Sequence, residues 1–119
     1  MMLLMTKSDI RLSVHRENDL VETIQWEADD APEPGVQEAK AMILALWDPK
    51  ARNSLRIDLW SKDMTVEDMN DFFFQTLLSM AETYANATNN KNLMADMKIF
   101  AREFAEKAAK VERRHKPGT

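Results

Sequence analysis

The apolar residues of this chain change period once, and the change falls at a helix-start signal. Up to Trp60 they run mainly in alternation, the spacing of strands; from Thr65 onward they recur at threes and fours, the spacing of a helix face. Between the two halves, Thr65-Val-Glu-Asp68 has the form of a capping box, a hydroxyl at the N-cap with an acid three residues on. A strand half followed by a helix half predicts an α+β fold.

Ser8 to His15 places Ile10, Leu12 and Val14 on one face and Arg11, Ser13 and His15 on the other. Arg16-Glu-Asn-Asp19 supplies turn chemistry. Leu20 to Ala28 follows, with Leu20, Ile24, Trp26 and Ala28 inward and Glu22 the one misfit. Two prolines and a glycine between Pro32 and Gly35 mark a loop. Ala41 to Trp47 is continuously apolar, and Val36, Ala39, Ile43 and Leu46 also fit a helix stripe. Asp48-Pro49 and the clean alternation of Ser54 to Trp60, with Leu55, Ile57 and Leu59 inward, favour a strand. The expectation is one four-stranded antiparallel sheet (8–15, 20–28, 41–47, 54–60), followed by two C-terminal helices (65–86, 91–112) packed on one face. The first helix is read from Val66, Met69, Phe73, Leu77, Met80 and Tyr84, and the second from Leu93, Met97, Phe100, Phe104, Ala108 and Val111. Residues 7–112 form a single domain in this reading, between a disordered N-terminus (1–6, with Met2 and Met5 as alternative starts) and a disordered basic tail (113–119).

The chain's 119 residues suit one domain, and its lack of cysteine excludes disulfides and thiolate sites. Sixteen basic against twenty acidic side chains, a net charge of −4, give no global field to draw nucleic acid. Eight acids and no Lys or Arg lie between Glu17 and Glu38, and five bases against Glu112 lie from Lys107 onward. Both read as solvated surface, the bases suiting a helix C-terminus. No run approaches the roughly 20 apolar residues of a membrane span, and no secretory leader pattern opens the chain. A cytoplasmic protein without membrane insertion is expected. His15 and His115 sit in no nucleophile motif, and Gly35 and Gly118 are the only glycines, so nothing cradles a phosphate. No catalytic, cofactor-binding or metal-ligating residue is assigned, and no enzyme is expected.

Two features stand out as interaction candidates. Arg56, Asp58 and Trp60 share one strand face about 6.6 Å apart, with Lys62 next at the same parity; Arg and Trp are enriched at binding hot spots. These four make a candidate partner surface. Phe72-Phe73-Phe74 spans about 200° of a helix, more than one stripe buries. Phe72 and Phe74, with Leu78, are therefore candidates for a contact in a homo-oligomer.

The run from Leu46 to Met64, with Arg56-Ile-Asp-Leu-Trp60 and Lys62-Asp-Met64 at its centre, resembles the gliding motility protein GldC family of Bacteroidetes. The likeness continues through Phe73-Phe-Gln-Thr-Leu77, Met94-Ala-Asp-Met97 and Phe100-Ala-Arg-Glu-Phe104, and covers roughly residues 7–108. The resemblance implies a small accessory protein of the gliding machinery that works through protein partners, with no catalytic residues to carry over. The element order is similar to that of the export chaperone SecB, which implies a competing role as an oligomeric chaperone or carrier of extended polypeptide.

Overall fold

A computed structural model describes residues 4–115, at His115 the backbone alone. The chain forms two compact units, one up to Met64 and one from Thr65 onward. The boundary between units is the point where the apolar period changes.

The first unit begins with a hairpin of β1 (Ile10–Glu17) and β2 (Leu20–Ala28). Glu17 pairs with Leu20, so the turn is Asn18-Asp19, both at positive φ (51° and 65°). That is the twist a two-residue hairpin needs, and Asn and Asp tolerate it. Pairing runs in register from Ile10↔Ala28 to His15↔Thr23, then shifts to Arg16↔Val21. Glu22 is the extra residue of this β-bulge, which explains its poor fit to the alternation: the inward phase changes there. Val21 and Ile24, three residues apart, are both buried.

The expected four-stranded sheet is not what forms. Five strands make two antiparallel sheets, of three and two strands. Gln37–Ala39 is a short β3 that pairs with β2 at Trp26–Ile24, and Gly35, at φ 93°, shapes the loop that brings it there. At Lys40 the pairing changes partner. β4 (Ala41–Asp48) joins β5 (Asn53–Trp60) in a second hairpin, from Ala41↔Trp60 to Asp48↔Asn53. Its four-residue loop is held by Asp48, whose carboxylate accepts the Lys50 N–H (2.9 Å) and whose carbonyl accepts the Arg52 N–H (2.8 Å). The strand reading of Ala41–Trp47 holds; the single sheet does not, because three residues before Lys40 already pair with β2.

The second unit is a helical hairpin of α1 (Val66–Thr88) and α2 (Lys91–His115). Both bonds of the capping box form: the Asp68 N–H donates to Thr65 Oγ1 (3.0 Å) and the Thr65 N–H to the Asp68 carboxylate (3.2 Å). Asn89 closes α1 in the left-handed region (φ 59°), and the Asn90 side chain accepts the Leu93 N–H (3.0 Å) at the start of α2. The seam between the helices is marked by Ala81 and Ala101, both 0% exposed, and by Asn70 donating to Glu112 (2.7 Å). On α1 this seam lies about one residue's 100° around from the stripe of Val66, Phe73 and Met80, which stays exposed.

The disordered ends expected at 1–6 and 113–119 fall partly on 1–3 and 116–119, outside the described residues. Within them, residues 4–9 form no strand or helix, and α2 runs on through His115 rather than ending at 112.

Two substitutions check this account by urea unfolding. Ala101→Leu forces a larger side chain into the helical seam and is expected to destabilise by about 1–3 kcal/mol. Asp19→Gly relieves a positive φ at the β1–β2 turn and is expected to stabilise by about 0.5–1 kcal/mol.

Candidate interaction surface

Residues directly opposite in an antiparallel pair share a face, so the β4–β5 register sorts the second hairpin into two surfaces. One carries Met42, Leu44 and Leu46 beside Leu55, Ile57 and Leu59. The sequence pattern expects Leu55, Ile57 and Leu59 inward, yet Leu55 and Ile57 are more than half exposed. The two sheets of the first unit are separate, and among the described residues no third strand extends this hairpin.

The other surface carries Arg56, Asp58 and Trp60 from β5 with Ala41, Ile43, Ala45 and Trp47 from β4. Arg56 donates to the Asp58 carboxylate at 2.9 Å, the in-strand pair that the spacing predicts. Trp60 is 55% exposed and Trp47 59%, with the Arg52 guanidinium 5.8 Å from the Trp47 ring centroid. The spacing thus brings Arg56, Asp58 and Trp60 together, and the register adds Trp47 and Arg52, which the sequence reading left out. The signal for Trp47 was the loop length: a four-residue loop sets Trp47 opposite Ser54, at the parity of Arg56.

Lys62 belongs elsewhere. Its ammonium pairs with Glu22, the bulge residue, and reaches Glu17 at 4.0 Å. Pairing with Glu22 raises the Lys62 pKa, and Lys62 in turn lowers that of Glu22. Around it the chain knots the two sheets together. The Ser61 N–H donates to the Lys40 carbonyl (2.7 Å), the Lys62 N–H to the Val21 carbonyl (2.9 Å), and the Ser61 hydroxyl to Asp63 (2.6 Å). Lys40 pairs with the same Asp63 carboxylate. Ser61, 1% exposed, is the one buried polar residue among the described residues.

On the helical hairpin the candidate trio separates. Phe74 and Leu78 recur at fours from Asn70 and lie toward the seam, both half-buried. Phe72, half-buried and about 200° around α1 from Phe74, stands edge-on to Phe73 (centroids 6.1 Å apart) and lines a groove with Thr76, Met80, Tyr84 and, from α2, Met97. Phe73, on the stripe expected to be buried, is exposed. His15 is exposed on β1 with Nε2 3.2 Å from the Gln25 side chain. Among the described residues no group of three or more His, Cys, Asp or Glu could hold a metal ion, and no helix is long and apolar enough to cross a membrane.

The fold and surface define a class: an α+β protein of two antiparallel sheets and a helical hairpin, presenting a charged and aromatic strand face. A family model described as gliding motility-associated protein GldC-like matches residues 21–110, and the chain belongs to that family. No curated protein and no solved structure matches it.

The junction is open to a titration test. Lys40, and next the Ser61 hydroxyl, hold the Asp63 carboxyl down at about 2, against an ordinary 3.8. A lowered folded value favours the fold above the unfolded pKa, and this contribution is lost as pH falls toward about 2. Carboxyl NMR titration is expected to put the Asp63 midpoint at about 2, and Lys40→Met to move it up toward 3.8.

Proposed function

We propose that the protein is a non-enzymatic, cytoplasmic accessory component of the gliding machinery that acts by binding a protein partner through the β4–β5 face. The observation that carries this reading is the shared, exposed face of Trp47, Arg56, Asp58 and Trp60 in a member of a gliding motility-associated family. Two large aromatic side chains left in water, beside an arginine already oriented by Asp58, are the anchors that interfaces use. Lys62 supports this face from behind by holding β5's end to β2.

Trp60→Ala tests the reading. A solvated side chain contributes little to folding, so the melting temperature is expected to stay within a few degrees. Affinity capture from a gliding bacterium with the wild-type protein is expected to retain one stoichiometric partner, and Trp60→Ala to lose most of it. Equal retention by both, or capture of many unrelated unfolded chains, overturns the reading.

A further inference from the structure

Among the described residues β5 pairs with β4 along one edge alone, and the alternation of its backbone shows which groups the other edge presents. The Ser61 N–H goes to Lys40, continuing the β4 pairing, and the next N–H, of Lys62, goes the opposite way to Val21. Counting back by twos, the backbone groups of Ser54, Arg56 and Asp58 point away from β4. An eight-residue edge without proline or glycine is a template for another strand unless something guards it. Like charges would guard it. Here the charges on either side of Ile57 are of opposite sign.

That arrangement is complementary to itself. Run antiparallel to its own copy about a twofold axis at Ile57, β5 sets Arg56 opposite Asp58 of the second copy and Asp58 opposite that copy's Arg56. The same register sets Leu55 opposite Leu59 on the other face. We propose that β5 pairs with β5 of a second copy in this register, making a four-stranded sheet in the order β4-β5-β5-β4. The in-strand Arg56–Asp58 bond then becomes one side of a ring of four alternating charges. Twofold pairing of identical patches is the commonest way for a chain to close an assembly.

The other edges offer no such match, and that of β3 is only three residues long. On β1, Arg11 is taken up by Glu27 (2.6 Å) and Asp29 (3.1 Å), and the bulge at Glu22 disturbs the hairpin behind it. On β4, Ala41 to Trp47 holds no charge to set a register. A second copy at β5 is therefore the occupant that charge selects, and the inference stands whether or not the gliding partner is found.

Light scattering at tens of micromolar and one added cysteine test it. The wild-type protein is expected at twice its 13.7 kDa chain mass. Arg56→Asp places acids opposite acids and is expected to weaken the dimer about tenfold or more; Asp58→Arg does the same with bases. The double swap Arg56→Asp/Asp58→Arg restores the pattern and is expected to restore the dimer, which a contact with any foreign partner would not do. Ile57→Cys, the only thiol in the chain, sits on the axis at a non-hydrogen-bonded pair, about 4.5 Å between Cα atoms, and is expected to form a disulfide-linked dimer on mild oxidation. A wild-type monomer at this concentration overturns the proposal. So does a dimer indifferent to both charge reversals, as one built on the α1 flank at Phe72 would be, or a double swap that stays monomeric.

Discussion

The first unit depends on three consecutive residues, Ser61, Lys62 and Asp63, that fasten one sheet to the other. Their two backbone bonds, to Lys40 and Val21, leave opposite sides of the chain and so tie β4's beginning and β2's beginning to the same point. The ion pairs around them, Lys62 with Glu22 and Lys40 with Asp63, are exposed, and exposed pairs contribute little each. Burial of Ser61 with its hydroxyl satisfied, together with the two backbone bonds, carries more of the load. The charges match the arrangement at both points, Lys62 meeting the bulge at Glu22 and Asp63 meeting Lys40 at the bend.

The candidate surface follows from that fastening. Because β5 leaves the junction in a fixed orientation, Trp60, Asp58 and Arg56 all stand on one side, and the loop at Asp48 aligns Trp47 with them. The face is hydrogen-bonded at both ends, at the junction and at the tight loop. The helical hairpin solves a different problem by different means. Its seam is built around two alanines that let the helices approach closely, with Asn70 and Glu112 bonded near one end.

What could be read from the sequence was whatever depended on near neighbours. The capping box, the Asn-Asp turn, both hairpins and both helices are local, and each appears within a few residues of its expected place. The Arg56–Asp58 pair is local too. What could not be read was set by residues that do not look apolar. The bulge at Glu22 reads as a polar error in an alternating run, whereas its carboxylate is reserved for Lys62, forty residues away. The helical seam is centred on Ala81 and Ala101, with Asn70 and Glu112 near one end and Phe74 and Leu78 half-buried toward it, so the stripe of Val66, Phe73 and Met80 lands beside it. β3 was missed because Gln37-Glu38-Ala39 carries no strand signature; it pairs because the loop before it returns to β2.

The bend at Lys40 has a consequence for how such a chain can change over time. One residue separates β3, paired to the first hairpin, from β4, which begins the second. A strand shows alternate residues to opposite sides, so adding or losing a single residue there would turn the whole second hairpin over. Its tryptophans and charges would exchange places with its leucines. The loop between β2 and β3 can lengthen at small cost, but length at this position is tied to identity of surface, and lineages carrying the family's fold should hold it constant while that loop drifts.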